Sequence, residues 1–118
     1  MELAIQDAGL TAGDIVHINA HGTSTPLNDA AEAEAVAKVF SEPGPAITST
    51  KGVTGHALGA AGGLEAVAVV QSIQHGLIPP TFGLVDRDPE MPDLDFVTGE
   101  AREWTPGPTL SNLSLIHI

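Results

Sequence analysis

The sequence predicts an α/β fold built around a parallel βαβ unit, and three observations lead to that prediction. Two short runs rich in β-branched residues, 15–20 and 46–50, are each typical of a strand. A segment with apolar residues at helical spacing lies between them, and a longer apolar segment follows the second run. Strands that alternate with helices in this way form parallel sheets joined by right-handed crossovers.

The composition excludes several classes of function. A chain of 118 residues forms at most one domain, which is short for an α/β enzyme that closes its own active site. Its net charge of −11 disfavours nucleic acid as a partner, and it makes this chain, by itself, a poor docking surface for an acidic carrier protein. Because there is no cysteine, the chain itself offers no disulfide, no thiolate nucleophile and no zinc–sulfur site.

The sequence also shows no targeting or membrane signal. The segment after Met1 is amphipathic rather than basic and then apolar, so we expect no secretory signal. The longest apolar run, residues 66–70, is far shorter than the ~18 residues that a membrane-spanning helix needs. We therefore expect a soluble, cytoplasmic protein that has neither a membrane nor a nucleic acid as its partner.

Capping signals give the bounds of the first two helices. Residues 2–8 predict a short helix that ends at a glycine. Asn28 or Asp29 is expected to cap the second helix, because Asp29 and Glu32 have the spacing of a capping box. This helix ends before the proline-rich segment 43–45. It is predicted to turn an apolar stripe toward the core (Ala33, Val36, Val39 and Phe40) and to turn Glu34 and Lys38 outward.

A third helix is predicted over residues 57–75, and a final strand over residues 109–112. Gly76 follows the helix at the position where helices favour glycine. The later turns of the helix are strongly apolar, which predicts burial on more than one face.

The first two turns of this third helix contain three glycines, Gly59, Gly62 and Gly63. Each glycine in a helix interior costs ~1 kcal/mol relative to alanine. Tight packing in a core is one explanation. The alternatives are that another group approaches the backbone very closely there, or that His56 must be held at the helix start. The glycine pattern also resembles the cofactor loop of short-chain dehydrogenases. That match is weak, because Ala61 stands where a further glycine is expected and the chain has no tyrosine.

Two histidines are predicted to meet at one edge of the sheet. His21 follows the first predicted strand, and Lys51 and His56 follow the second. In a parallel βαβ unit the loops that leave the carboxyl ends of both strands lie at the same edge, where α/β proteins place their sites. We therefore expect His21 and His56 to lie close together.

His56 is predicted to begin a helix, where the macrodipole disfavours protonation of its ring. The positive charge of Lys51 acts in the same direction. A neutral imidazole can donate a hydrogen bond to a carbonyl that is becoming an enolate.

His21 is followed by three hydroxyl residues, Thr23, Ser24 and Thr25. One interpretation is a polar turn before a helix cap. The other is a histidine donor or base, flanked by hydroxyls that bind an amide-rich substrate arm.

The other histidines have simpler interpretations. His17 and His21 have the i, i+4 spacing of a helical zinc pair, but this segment is predicted to be a strand and a loop. His75 falls in the last turn of a predicted helix, where a partly positive imidazole suits the dipole and a structural role is expected. We predict no metal site.

Two motifs together identify a family resemblance. Residues 19–26, Asn-Ala-His-Gly-Thr-Ser-Thr-Pro, and residues 49–62, Ser-Thr-Lys-Gly-Val-Thr-Gly-His-x-x-Gly-Ala-Ala-Gly, are followed by Ile-Pro-Pro-Thr at 78–81. This combination resembles the C-terminal half of β-ketoacyl-acyl-carrier-protein synthases, the type II condensing enzymes of fatty-acid elongation. The ketosynthase domains of polyketide synthases are the next most similar group. The resemblance implies half of a thiolase-like fold with αβαβα layers, in an enzyme that forms homodimers.

The resemblance also implies a reaction and a set of residues. The family catalyses decarboxylative Claisen condensation of a malonyl-carrier with an acyl group held on a cysteine. The residues that match the family's catalytic residues are His21, His56 and Lys51. Thr23 and Thr25 match the hydroxyls that bind the pantetheine arm. Asp29 and Glu32 match acids near the lysine, where a buried charge needs a partner. The implied partner is acyl carrier protein, whose phosphopantetheine carries the substrates, and no further cofactor is implied.

The chain departs from the family pattern at two points. The nucleophilic cysteine belongs to an N-terminal half that this sequence lacks. We assign residues 1–112 to an incomplete synthase domain and 113–118 to an aberrant or truncated tail, because the family continues there with a loop rich in glycine and phenylalanine. The isolated chain is therefore expected to be inactive. A non-catalytic structural or interaction module is the alternative function.

Overall fold

The computed structural model describes residues 1–114. In chain order its elements are α1 (Glu2–Asp7), β1 (His17–Asn19), α2 (Pro26–Val39), β2 (Ala46–Thr48), α3 (Lys51–Thr54), α4 (Ala61–His75), β3 (Leu77–Ile78), β4 (Arg102–Glu103) and β5 (Thr109–Ser111). The predicted order of strands and helices is confirmed. Of the predicted tail, residues 115–118 lie outside the described residues.

A parallel three-stranded sheet forms the centre of the described chain. Its strand order is β2-β1-β5, and β1 pairs in parallel with both neighbours. Ile18 is aligned with Ile47 on one side and with Leu110 on the other. The predicted parallel βαβ unit and the predicted last strand are both confirmed. β3 and β4 form a separate antiparallel pair.

The core lies between this sheet and the helices α1 and α2. Ile18, Ile47 and Val36 are each 3% exposed or less. The predicted stripe of α2 is confirmed, since Ala33 and Phe40 are also buried and Val39 is partly buried against the core. Glu34 and Lys38 form an exposed ion pair on the opposite face, with 3.7 Å between nitrogen and oxygen.

The predicted cap of α2 is wrong. The helix begins at Pro26 with Thr25 as its N-cap residue, ahead of Asn28 and Asp29. Proline is well suited to the first helical position because its φ is already helical and its missing N–H would have no partner there. Asp29 and Glu32 therefore lie inside the helix and form no capping box.

The predicted start of the third helix is also wrong. α4 begins at Ala61, and the preceding residues form the short helix α3 and a 3₁₀ turn at Leu58–Ala60. Gly55 and Leu58 have φ angles of +69° and +50°, which a right-handed helix does not contain. The predicted end is correct, because α4 ends at His75 and Gly76 follows in a left-handed conformation. The side chain of His75 forms a hydrogen bond with that of Gln71 on the same helix.

One face of α4 is open in the described chain. Leu64, Val67 and Val70 are between 44% and 61% exposed, so the predicted burial on more than one face is wrong for residues 1–114. The buried face carries Ala61, Glu65 and Ser72 instead. No helix in this part of the chain is both long and apolar enough to cross a membrane.

The glycines of this segment differ in their surroundings. A Cβ atom at Gly62 would lie 3.2 Å from Cδ2 of Leu113, so the backbone approaches a side chain closely there. Cβ atoms at Gly59 and Gly63 would meet nothing within 4 Å among the described residues. The prediction of close backbone approach is therefore confirmed at Gly62 alone.

His17 is a core residue of the sheet, with 1% of its surface exposed. Its ring packs edge-on against Trp104, with 5.4 Å between the ring centroids. Neither ring nitrogen has a hydrogen-bond partner within residues 1–114. Burial therefore lowers the pKa of His17 from 6.5 to about 4. Because His17 lies in a strand, the helical geometry that a metal pair with His21 would need is not formed.

Acid is expected to destabilise the chain through His17. Its folded-state pKa of about 4 lies below the ordinary 6.5, so the unfolded chain takes up the proton first as the pH falls. The contribution of His17 to the free energy of unfolding is fully present above pH 6.5 and is lost between pH 6.5 and 4. This contribution amounts to roughly 3 kcal/mol. Urea unfolding across this range measures it. His17→Leu should lack this part of the pH dependence, and equal slopes in the two proteins would contradict the expectation.

Candidate functional site

The two predicted histidines meet at the carboxyl edge of the sheet. His21 follows β1, and His56 lies in the loop after α3. Their ring centroids are 5.5 Å apart, and the ring planes are almost perpendicular, at 88°. His21 is buried and His56 is exposed. The predicted proximity is confirmed, and it brings two imidazoles within reach of one small group.

The loop that carries His21 is held by a carboxylate from α2. Glu32 accepts the N–H of His21 at 2.8 Å through Oε1 and the N–H of Gly22 at 2.9 Å through Oε2. The side-chain amide of Asn112 also donates to Oε1, at 3.3 Å. Glu32 therefore supports the loop of His21 and does not pair with Lys51.

Lys51 is paired with an acid that the sequence interpretation missed. Its Nζ donates to Oε1 of Glu65, and the two side chains are only 5% and 2% exposed. The prediction that Asp29 and Glu32 serve as the partners of Lys51 is therefore wrong. Asp29 instead accepts a hydrogen bond from the side chain of its neighbour Asn28, at 3.1 Å. Glu65 is the only acidic residue of the apolar helix α4. A single acidic residue in an otherwise apolar helix was the sequence feature that could have indicated a buried ion pair.

Burial and charge both favour the neutral form of His21. Burial makes the largest contribution to its lowered pKa, and the positive charge of Lys51 adds to the effect. The negative charge of Glu32 opposes these two effects in part.

The tautomer of His56 follows from a local hydrogen bond. The backbone N–H of Leu58 donates to Nδ1 of His56 at 3.2 Å, so the ring proton of a neutral His56 lies on Nε2. The macrodipole explanation for His56 does not hold, because the long helix begins only at Ala61. His56 is positioned by a short turn rather than by a helix N-terminus.

The two threonines predicted to bind a substrate arm lie in the loop beyond His21. The hydroxyl oxygens of Thr23 and Thr25 are 2.9 Å apart and hydrogen-bonded to each other. Ser24, between them, has a φ of +60°, which turns the loop sharply. Both threonines are at least partly accessible, so their hydroxyls can exchange this bond for one to a ligand.

A cavity of about 550 Å³ lies beside these residues. Its wall combines site residues with apolar side chains: Thr23, Lys51 and His56 with Val36, Phe82, Leu94 and Phe96. A cavity of this size and mixed lining suits an elongated ligand that has a few polar groups. In the part of the chain that the structure describes, no three His, Cys, Asp or Glu residues are grouped to hold a metal ion.

Comparisons with known proteins give a consistent result. Residues 1–85 match the family model described as "Beta-ketoacyl synthase, C-terminal domain". The chain is 45% identical over 111 residues to 3-oxoacyl-[acyl-carrier-protein] synthase 2 of Synechocystis sp., covering 92% of this chain and 26% of that protein. It is 46% identical over 114 residues to the protein of the same name from Coxiella burnetii, covering 95% and 27%. The chain thus spans about a quarter of the length of the curated relatives that it matches.

Solved structures show the same likeness. A β-ketoacyl synthase from Burkholderia phymatum superposes with a TM-score of 0.82 at 43% identity, covering 87% of this chain and 25% of that one. The ketosynthase of AntDE:AntF, a type II polyketide ketosynthase in complex with its acyl-carrier protein, gives a TM-score of 0.86 at 34% identity, covering 92% and 27%. The predicted fold class, part of a thiolase-like α/β fold, is confirmed.

Proposed function

Because the chain belongs to the β-ketoacyl synthase family through its C-terminal domain, we propose that it supplies the decarboxylating residues of a 3-oxoacyl-acyl-carrier-protein synthase. The observation that carries this proposal is the pairing of His21 and His56, with ring centroids 5.5 Å apart at the edge of the sheet. Two hydrogen-bond donors at this spacing can both reach one thioester oxygen.

In the proposed reaction, negative charge develops on the thioester oxygen, which both imidazoles can reach. The C–C bond to the malonyl carboxylate breaks, carbon dioxide leaves, and the electron pair moves onto the thioester oxygen as an enolate. The enolate carbon then attacks the acyl thioester on the nucleophilic cysteine, a new C–C bond forms, and the cysteine leaves as a thiolate. N–H groups of His21 and His56 stabilise the enolate oxygen, as prearranged donors do in an oxyanion hole.

The protonation states support this role. A neutral imidazole keeps one N–H group, which can donate to the developing enolate, and the lowered pKa of His21 favours that form. In the neutral form of His56 the proton lies on Nε2, because Nδ1 accepts the N–H of Leu58. Lys51 is held by Glu65, and its positive charge helps to lower the pKa of His21.

Membership of the same family also suggests which substrate arm the chain binds and which protein carries that arm. We assign the hydroxyls of Thr23 and Thr25 to the phosphopantetheine arm of acyl carrier protein, whose amides need hydrogen-bond partners. The reaction needs no cofactor beyond that arm. Support for a carrier partner is the AntDE:AntF complex, in which a similar ketosynthase binds an acyl-carrier protein.

The nucleophile must come from outside these residues, since the chain contains no cysteine. The proposal therefore includes an N-terminal region that completes the site, in a homodimeric enzyme of the cytoplasm that elongates fatty acids. The names of the Synechocystis and Coxiella relatives favour fatty-acid synthesis. A polyketide ketosynthase is the second candidate, favoured by the likeness to AntDE:AntF. The open apolar face of α4 does not favour a self-sufficient structural module.

A chimaeric synthase tests the proposal. In it, this chain replaces the segment that it matches in the Synechocystis relative, and the assay follows condensation of an acyl group with malonyl-carrier protein. We expect the chimaera to condense and the isolated 118-residue chain to be inactive. The Synechocystis protein without that segment is the matched control. An active isolated chain, or a correctly folded chimaera without activity, would contradict the proposal.

A further inference from the structure

The side chain of Ser49 joins the two loops that carry the histidines. Its hydroxyl donates to the carbonyl of Gly22 at 3.2 Å, in the loop after β1. The same oxygen accepts the backbone N–H of Lys51 at 3.4 Å, at the start of α3. Ser49 is 7% exposed, so water does not readily replace these bonds.

Ser49 is itself fixed from a third direction. Its backbone N–H donates to the hydroxyl of Thr81 at 3.1 Å, and the N–H of Thr81 donates to the carbonyl of Val97 at 2.8 Å. The hydroxyl therefore extends from a hydrogen-bonded residue that directly follows β2.

The contact between Ser49 and Gly22 is closer than any other residue at position 22 would permit. A Cβ atom on Gly22 would lie 2.6 Å from both Cβ and Oγ of Ser49, and the φ angle of Gly22 is +43°. The peptide groups around Gly22 are thereby held on two sides. Glu32 accepts the N–H groups of His21 and Gly22, and Ser49 donates to the Gly22 carbonyl.

We propose that Ser49 is a positioning residue that sets the separation of His21 and His56. This inference rests on the proposed function of the two histidines. The bond to Gly22 acts on the residue directly after His21. The bond to Lys51 acts on the start of α3, whose end at Thr54 leads directly into the loop of His56. Prearranged donors lose their effect when they are misplaced by about 1 Å, which can reduce a rate ~100-fold.

The test replaces Ser49 in the chimaeric synthase and separates positioning from stability. Ser49→Ala removes both bonds and is expected to lower kcat for condensation about 10- to 100-fold. The KM for malonyl-carrier protein and the rate of cysteine acylation should stay within about twofold of those of the unsubstituted chimaera. Neither carrier binding nor acylation depends on the separation of the histidines. Ser49→Cys keeps a weak donor of similar size, so its kcat should fall between those of the parent and Ser49→Ala.

Ser72→Ala is the matched control. Ser72 is also a buried serine that donates to a backbone carbonyl, that of Ala68 at 2.9 Å, but it lies within α4 away from the histidines. Ser72→Ala should leave kcat unchanged, because the Ser72 hydroxyl bonds only within its own helix.

Four outcomes of this test are decisive. A kcat loss specific to the Ser49 variants, with Ser49→Cys intermediate, supports the positioning role. Equal kcat losses in Ser49→Ala and Ser72→Ala, or an unchanged kcat in both Ser49 variants, overturn it. If His56→Ala also leaves condensation unchanged, the proposed function of the histidines has failed, and the positioning role of Ser49 fails with it.

Discussion

Replacing Glu65 with glutamine is expected to lower the free energy of unfolding by about 3–5 kcal/mol. The Lys51–Glu65 pair is almost wholly buried, at 5% and 2% side-chain exposure. Removing the negative partner leaves the ammonium group of Lys51 in a site of low polarity with no compensating charge. The cost of an unpaired buried charge exceeds that of losing the pair as a whole. Urea denaturation of the chain at pH 7 measures the change.

Two controls make this expectation specific. The double variant Lys51→Met with Glu65→Leu removes both charges, and it should be more stable than Glu65→Gln alone. Glu34→Gln breaks the exposed pair with Lys38 and should change stability by less than ~1 kcal/mol. A Glu65→Gln protein as stable as Glu34→Gln would show that Lys51 does not depend on its buried partner.

Replacing His56 with alanine in the chimaeric synthase is expected to lower kcat for condensation by about 10²–10³-fold, the usual effect of losing one oxyanion donor. His21→Ala should cause a loss of similar size. Because both rings act on the same oxygen, the double variant should lose less than the product of the two single effects.

Product formation under saturating malonyl-carrier protein measures these losses, and labelling of the cysteine by an acyl donor shows that the first half of the reaction persists. His75→Ala is the control, since His75 lies exposed at the far end of α4, where it contacts Gln71. Wild-type rates in both single variants would remove the basis for assigning the histidines to the reaction.

Local sequence patterns predicted the sheet well. The β-branched runs around Ile18 and Ile47 became buried parallel strands, and the last predicted strand joined β1 on its free side. Because parallel topology fixes which loops share an edge, the meeting of His21 and His56 also followed from the sequence. Periodicity and topology are local or nearly local properties, so one sequence suffices to predict them.

Contacts between distant residues were not predicted in the same way. Glu32 matched a capping box by spacing, but proline at position 26 moved the helix start and left its carboxylate free for the loop of His21. Lys51 was expected to pair with the acids of α2, and it pairs with Glu65, which α4 brings alongside it. The positive φ of Leu58 prevents α4 from starting before this residue. His56 is therefore held by the N–H of Leu58 rather than by the expected helix N-terminus. Each of these outcomes depends on backbone geometry that spacing alone does not specify.

Carbon dioxide release from malonyl-carrier protein tests the central claim most directly, because it isolates the step assigned to His21 and His56 from the formation of the new C–C bond. The chimaeric synthase with a pre-acylated cysteine should release carbon dioxide at the rate of condensation. The His21→Ala, His56→Ala double variant, acylated to the same extent, should release it at least ~100-fold more slowly. Equal release by the two acylated proteins would contradict the claim that this pair of histidines carries the decarboxylation.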